Sequence, residues 1–227
     1  MPATPTFEMQ HFFDIAFTPS VVERQRANGS FEHYGAHNGQ WPTPAGLSHQ
    51  EQLFLAERDS FYLASVGEDG WPYVQHRGGP IGFVTVLGPT RIAWAERLGN
   101  RQFVTAGHID ADDRVALIAV DYPNRRRLKL YGHATYVTHP TAEQVAALNH
   151  SNGRLDGIVY LDVVATDWNC PKHITPRYTA DEVRALRDPL TRRVAELEAQ
   201  LADLRAGKPD GERPTRKSRT APAKIQR

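Results

Sequence analysis

Hydrophobic and polar residues alternate in a series of short segments through the middle of this 227-residue chain. Alternation with a period of two is typical of β-strands that bury one face. Turn-forming sequences separate three pairs of these segments: Gly67-Glu68-Asp69-Gly70, Gly88-Pro89-Thr90 and Tyr122-Pro123-Asn124-Arg125. The pattern predicts three hairpins and a last long strand, over residues 61–66, 71–77, 82–87, 91–95, 114–121, 126–138 and 157–166.

Helical signals lie before, between and after these strands. Ser48 is followed three residues later by Glu51, the capping-box pattern, which predicts a helix to about Arg58. Shorter helices are predicted over 20–27 and 141–149. Six or seven strands joined mostly by tight turns, with peripheral helices, favour an antiparallel barrel of the mainly-β or α+β class.

The C-terminal part of the chain has a different pattern. Asp188 followed by Pro189 resembles a helix N-cap with proline at the first helical position. Apolar residues then recur at alternating spacings of four and three, which forms a heptad seam: Leu190, Val194, Leu197, Leu201 and Leu204. A second copy of the chain or the chain's own barrel could cover this seam, and the pattern favours neither.

These changes of pattern divide the chain into four parts. Residues 1–45, rich in Pro, Gly, Asn and His, predict an irregular N-terminal arm. Residues 46–179 form the predicted barrel domain, and 180–207 form a C-terminal helical segment. The Pro, Lys, Arg and Ser content of residues 208–227 predicts a disordered tail.

Charge is unevenly distributed along the chain. The net charge is +1, but residues 208–227 hold seven basic and two acidic residues, which leaves −4 for the rest. Only the tail has the charge for nucleic-acid contact, and we expect it to be a solubilising end instead. Cys170 is the sole cysteine, so no internal disulfide forms. No signal-peptide pattern or membrane-length apolar run occurs, and the expectation is a soluble cytoplasmic protein.

A basic, glycine-containing turn ends the second predicted strand. Residues 70–83 read GWPYVQHRGGPIGF, in which Arg77 supplies a cation. Gly78 and Gly79 would let backbone N–H groups approach an anion closely. A plain strand-ending turn with a surface arginine would have the same sequence.

A second basic cluster opens a predicted helix: Gly99, Asn100, Arg101 and Gln102. A helix N-terminus attracts anions because its first backbone amides lack acceptors, although this sequence is also an ordinary helix start. A phosphate carries close to two charges and therefore attracts more than one cationic donor. Together the two clusters favour a bound phosphorylated cofactor.

The third hairpin carries a run of arginines. Residues 124–130 read NRRRLKL, and alternation places Leu128 and Leu130 on the core face. Arg127 and Lys129 then lie on the opposite face, where they could contact a ligand. A solvated edge strand has the same pattern.

A fourth cluster combines an aromatic ring with cations. Residues 167–177, DWNCPKHITPR, form a proline-restrained loop that suits a flat anionic ligand. Cys170 and His173 offer only two metal ligands, so no metal site is predicted.

These four clusters together resemble the pyridoxamine 5′-phosphate oxidase-like family of flavin-binding split β-barrels. The resemblance covers residues 48–177 and is carried by RDSFYLASVGEDGWPYVQHRGGPIGFV, WAERLGNRQ, YPNRRRLKLYGHA and DWNCPKHITPR. It implies a split-barrel fold and an FMN cofactor held at a homodimer interface by residues of both subunits.

The resemblance assigns two groups of residues to this cofactor. The phosphate and ribityl side would take Arg77, Gly78, Gly79, Asn100, Arg101, Gln102 and Arg127. The ring side would take Trp168 with Lys172 or Arg177. After residue 177 a helix and a tail replace the basic, histidine-containing segment with which the oxidase itself binds its substrate. Vitamin B6 oxidation is therefore not expected.

The sequence thus predicts a homodimeric FMN-binding oxidoreductase that acts on an unidentified small molecule. One alternative is a deazaflavin- or haem-binding split barrel, with His173 as the candidate axial ligand of a haem. Another is a non-catalytic flavin-binding or regulatory protein. No catalytic residue is assigned, and His76 and His173 are the candidates for proton transfer.

Overall fold

The computed structural model describes residues 7–34, 42–151 and 153–207. The chain divides into two units, Met1–Arg177 and Tyr178–Arg227, and each is described by itself. The predicted disorder of the tail over residues 208–227 falls outside the described residues.

Seven strands form one antiparallel sheet in the first unit. They are β1 (Ser60–Val66), β2 (Pro72–Gly78), β3 (Thr85–Val86), β4 (Arg91–Arg97), β5 (Arg114–Asp121), β6 (Arg126–Val137) and β7 (Leu155–Trp168). Their order across the sheet is β2-β1-β5-β6-β7-β4-β3. The predicted split barrel of the α+β class is confirmed.

The third strand is shorter than its apolar pattern predicts. Of residues 82–87, only Thr85 and Val86 form the strand paired with β4, and the Leu87 amide donates to the Arg91 carbonyl at 2.8 Å in the turn that follows. Gly82 has a φ of +85°, which turns the chain before the strand begins. Phe83 and Val84 are nevertheless buried, so their apolar character reflects packing in the core rather than strand pairing.

An aromatic cluster lies at the centre of the core. The Phe61 ring stacks on Phe83 at 5.5 Å and meets the edge of Trp94 at 4.9 Å between ring centroids. Phe61 and Trp94 are each 1% exposed. Burial of one such ring contributes about 1.5–3 kcal/mol. The contact also joins β1 to β4, which lie four positions apart in the sheet order.

An ion pair at the end of the barrel also joins two strands that lie far apart in the sheet order. Arg77 lies on β2, at one edge of the sheet, and Glu96 lies on β4, next to the other edge. The Arg77 Nε donates to Glu96 Oε1 at 2.7 Å. The sheet therefore curls until its two ends meet.

Seven helices are present among the described residues: α1 (Phe12–Ala16), α2 (Pro19–Asn28), α3 (Phe31–Tyr34), α4 (His49–Ala56), α5 (Val104–Ala111), α6 (Ala142–Ala146) and α7 (Ala180–Ala206). The capping box of α4 is present, with Ser48 Oγ accepting from the Glu51 amide at 3.3 Å. The described part of the N-terminal arm holds α1–α3, of which α2 confirms the helix predicted over 20–27, whereas α1 and α3 were not predicted. Met9 there is buried, and the Gln10 amide donates to the Val164 carbonyl at 2.7 Å.

The C-terminal helix α7 begins earlier than predicted. Thr179 caps it, with its side chain accepting from the Glu182 amide at 3.2 Å and the Glu182 carboxylate accepting from the Thr179 amide at 2.7 Å. Pro189 therefore lies inside the helix rather than at its start. The prediction from Asp188-Pro189 overlooked this capping box, which stabilises the earlier start.

Among the described residues, no helix is both long and apolar enough to span a membrane.

Candidate functional site

A polar cavity of about 310 Å³ opens where the two ends of the sheet meet. Alternation along β2 turns Gln75 and Arg77 toward it, while Val74 and His76 lie on the other face of the strand. The lining residues come from β2, β4, α5 with the loop before it, β6 and β7: Gln75, Arg77, Glu96, Arg97, Gly99, Asn100, Arg101, Gln102, Phe103, Val104, Thr105, Ala106, Tyr136 and Asp156. The cavity therefore unites the predicted residues Arg77, Asn100, Arg101 and Gln102.

Arg77 is held in a fixed position on the cavity wall. Its Nε donates to Glu96 Oε1 at 2.7 Å, and the same oxygen accepts from the Trp94 Nε1 at 2.8 Å. The side chains of Arg77 and Glu96 are 16% and 15% exposed. The pair is thus largely removed from water, where such hydrogen bonds are stronger than at a surface.

The loop before α5 forms the opposite wall. Arg101 and Phe103 have φ values of +57° and +51°, which fold the loop tightly. The Asn100 side chain accepts from the Gln102 amide at 3.2 Å. The four-residue cluster therefore precedes α5 instead of opening it, because the helix begins only at Val104.

The N-terminus of α5 faces this cavity. Its N-cap residue Phe103 makes no side-chain cap hydrogen bond, and Val104, Thr105 and Ala106 line the cavity. The first amides of a helix have no acceptor within the helix. They are therefore available to an anion.

Thr105 is a site residue that the sequence analysis missed. It is 4% exposed, and among the described residues its buried Oγ1 has no hydrogen-bond partner. A buried hydroxyl without a partner is costly, which points to a ligand atom at this place. A single threonine gives no signal in a sequence, so only the structure could reveal it.

Two carboxylates balance the arginines of the cavity. Asp156 accepts from the Gly99 amide at 3.1 Å and lies 3.5 Å from the Arg101 Nε. Asp156 is well buried, whereas the Arg101 side chain is 62% exposed and open to a ligand. The net charge of the lining is +1, because it holds three arginines and two carboxylates: Arg77, Arg97, Arg101, Glu96 and Asp156.

Tyr136 completes the wall on β6. Burial raises the pKa of its phenol, the charges of Glu96 and Asp156 raise this pKa further, and Arg77 opposes them. The ring lies against Gly157, where an added Cβ would stand 2.8 Å from the Tyr136 Cζ. Tyr136 therefore faces the cavity as a neutral hydrogen-bonding group at ordinary pH.

Gly78 and Gly79 are not among the lining residues. The Gly79 amide donates to the Asp59 carbonyl at 2.8 Å, so it is not available to an anion. A Cβ at this position would stand 2.8 Å from the Phe83 side chain. The role of Gly79 is therefore close packing in the turn, and the interpretation of the two glycines as an anion cradle is not supported.

The remaining predicted residues lie elsewhere on the first unit. Trp168, at the end of β7, contacts Phe54 at 4.8 Å and carries the Arg126 guanidinium over its ring at 4.7 Å. The Arg177 guanidinium lies 4.9 Å from the centre of the Tyr122 ring. Arg127, Trp168, Lys172 and Arg177 are not among the residues that line the cavity.

No histidine lines the cavity among the described residues. His76 lies on the opposite face of β2, with its ring 5.5 Å from that of Tyr62. His173 is exposed, with a φ of +65°. Within the described part of the chain, no group of three or more potential metal ligands occurs.

The fold and the cavity together define an α+β split-barrel protein with a small, mainly polar cavity. Residues 47–156 match the family model described as pyridoxamine 5′-phosphate oxidase, which supports the predicted resemblance. The matched segment holds the whole cavity lining.

Solved structures show similarity over little more than half of this chain. HupZ of Group A Streptococcus is 14% identical over 58% of this chain and 100% of its own, with a TM-score of 0.45. A pyridoxinephosphate oxidase family protein of Clostridium acetobutylicum is 12% identical over 59% and 94%, with a TM-score of 0.42. An FMN-binding protein of Syntrophomonas wolfei is 10% identical over 52% and 82%, with a TM-score of 0.39. A comparison with curated protein sequences gave no significant match.

Proposed function

We propose that this protein is a homodimeric FMN-binding oxidoreductase and that the cavity holds the phosphate and ribityl chain of the cofactor. The observation that carries the proposal is the combination of Arg77, Arg101, the uncapped first turn of α5 and the unpartnered Thr105 hydroxyl around one space. A phosphate monoester needs this set of cationic and neutral donors.

The lining also fits the rest of a ribityl phosphate. The carboxylates of Glu96 and Asp156 would repel a second phosphate, and Asp156 can accept hydrogen bonds from the hydroxyl groups of a sugar alcohol. The neutral Tyr136 phenol can donate to or accept from the same groups. When bound, FMN supplies hydride and electron transfer, while the protein binds and orients it.

The lining of the cavity is more polar than a site for an entire flavin would require, and its volume is at the lower end of the range for ligand sites. Ligand sites generally enclose about 300–1,000 Å³ and are lined mainly by apolar and aromatic side chains. Here the volume is about 310 Å³, and Phe103 and Tyr136 are the only aromatic residues in the described lining.

The second group of predicted residues supports a site shared between two chains. Trp168, Lys172 and Arg177 have the chemistry for the flavin ring but are not part of the cavity lining. In a symmetric dimer each copy can offer both half-sites, so that the ring group of one subunit completes the phosphate group of the other. The homodimer and a cytoplasmic location remain parts of the proposal.

Binding of FMN to the purified protein tests the proposal. The expected result is a visible flavin spectrum that stays with the protein after gel filtration and bleaches with dithionite. Because a charge-assisted hydrogen bond contributes about 1.5–3 kcal/mol, Arg101→Ala should weaken FMN binding by about tenfold or more.

Arg114→Ala is the matched control for this variant. Arg114 is an exposed arginine paired with Asp112 and does not line the cavity. Its replacement should leave the FMN dissociation constant unchanged. Absence of flavin from wild-type protein after incubation with FMN would contradict the proposal.

Deazaflavin and haem are tested in parallel by the same reconstitution. A haem would need an axial ligand, and the described cavity lining contains no histidine. This observation favours the phosphate-bearing flavins. Tight binding of haem that depends on His173 would favour the alternative instead.

A further inference from the structure

Glu96 lies at the centre of the hydrogen-bond arrangement on the inner wall of the cavity. A single oxygen, Oε1, accepts from both the Arg77 Nε and the Trp94 indole N–H. Trp94 is 1% exposed and packed in the aromatic core, so its indole N–H is a rigid anchor for the carboxylate. The position of Glu96 is thereby set from the core outward.

We propose that Glu96 is a positioning residue that orients the Arg77 guanidinium toward the phosphate-bearing ligand. This inference rests on the proposed function of the cavity. The guanidinium is planar, so a hydrogen bond at Nε fixes its plane. Among the described residues the hydrogen bond of Arg77 to Glu96 uses only Nε, which leaves the Nη groups for a ligand. The Nη groups are then preorganised donors for an anion.

The charge of the pair also has a consequence for the ligand. Glu96 neutralises Arg77 in the absence of a ligand, so the free cavity does not hold an unpaired buried charge. Arg77 then acts mainly through directed hydrogen bonds, whereas Arg97 and the exposed Arg101, opposed only by Asp156, supply the net attraction. Arg77 and Arg101 therefore have different roles toward one phosphate.

Glu96 also helps to join the two ends of the sheet, so its effect on binding must be separated from an effect on stability. Riboflavin makes it possible to distinguish the two effects, because it has the same ring and ribityl chain as FMN but no phosphate. A loss of barrel stability would weaken both ligands, whereas misplacement of Arg77 would weaken FMN selectively.

The experiment compares Glu96→Ala, Glu96→Gln, Arg77→Ala and the double variant E96A/R77A by their dissociation constants for FMN and riboflavin. We expect Glu96→Ala to weaken FMN by about tenfold, with a change below about threefold for riboflavin. Glu96→Gln keeps an oxygen at the same place and should restore FMN binding to within about threefold of wild type. In the R77A background, Glu96→Ala should not weaken FMN binding any further, since Glu96 acts through Arg77.

Asp162→Ala is the matched control. Asp162 pairs with Arg91 through two short contacts, of 2.8 and 2.9 Å, and also joins two strands, but it does not line the cavity. Its removal should lower stability without changing the ratio of the FMN and riboflavin dissociation constants. Equal weakening of both ligands by E96A, or additive effects of E96A and R77A, would overturn the positioning role.

Inorganic phosphate serves as a second probe. Wild-type protein that binds phosphate but not FMN would contradict the proposed function and leave Glu96 testable through phosphate affinity, which E96A should lower. Wild-type protein that binds neither would overturn both proposals.

Discussion

At the scale of single residues, the site depends on side chains whose neighbours are distant in the sequence. Arg77 and Arg101 could be selected from their basic, glycine-containing surroundings, and both line the cavity. Thr105 and Glu96 could not, since isolated threonine and glutamate residues occur throughout any chain. The role of Thr105 follows from its buried hydroxyl, which has no partner among the described residues. The role of Glu96 follows from its contact with Arg77 across the barrel.

Gly157 is a residue-scale requirement of the cavity wall. An added Cβ would stand 2.6 Å from the Val137 carbonyl oxygen and 2.8 Å from the Tyr136 ring. Gly157→Ala should therefore destabilise the protein by about 1–3 kcal/mol through overpacking and displace the Tyr136 ring. Urea unfolding measures the first effect.

Gly88→Ala is the control for this substitution, because a Cβ at that position would meet no atom within 4 Å. Equal unfolding free energies for the two alanine variants would contradict the packing argument.

At the scale of elements, strands and turns were predicted better than helix limits. The strand β5 was predicted over residues 114–121 and has these bounds in the structure, Arg114–Asp121. The two strands of the first predicted hairpin also pair, from Ser60 with Gly78 to Val66 with Pro72. Alternation and turn chemistry are local signals, which explains this success. The predicted start of α7 was wrong because the chain holds two possible helix starts. The helix begins after the capping box at Thr179 and not after the Asp188-Pro189 pair.

Pro189 gives a prediction for α7. It lacks an N–H, so the carbonyl of Ala185 has no helical donor at this point. Pro189→Ala should increase the helix content and stabilise the helix, by up to about 3 kcal/mol. Far-UV circular dichroism during thermal unfolding measures the change.

Arg192→Ala, at another exposed position of α7, is the control and should change helix stability by much less. A lower helix content in the P189A variant would contradict this prediction and show that α7 requires proline at this position.

At the scale of the whole molecule, the curl of the sheet creates the site. The Phe61–Trp94 contact and the Arg77–Glu96 pair both connect strands that are far apart in the sheet order. The same curl leaves the ring-binding candidates outside the cavity. This separation supports the proposed dimer, in which a second copy would bring the two groups together.

Mixing two variants that each bind FMN weakly tests whether the site is shared between subunits. Arg101→Ala and Trp168→Ala would damage opposite half-sites, so each mixed dimer should regain one intact site. Random exchange of subunits should restore FMN binding at about a quarter of all sites.

A mixture of Arg101→Ala with Arg77→Ala is the control, since both substitutions affect the same half-site and should not complement each other. Failure of R101A and W168A to complement would contradict the shared site.

The sequence by itself determined most of the strands, the hairpins, the family resemblance and the choice of Arg77 and Arg101, because these depend on local periodicity and on short motifs. Only the tertiary structure decided which residues share one space. It joined Arg77 to Glu96 across the barrel, brought Thr105 into the cavity wall and removed Gly78 and Gly79 from it. The physical reason is that such contacts depend on how far the sheet curls, a property of the whole core and not of any local segment.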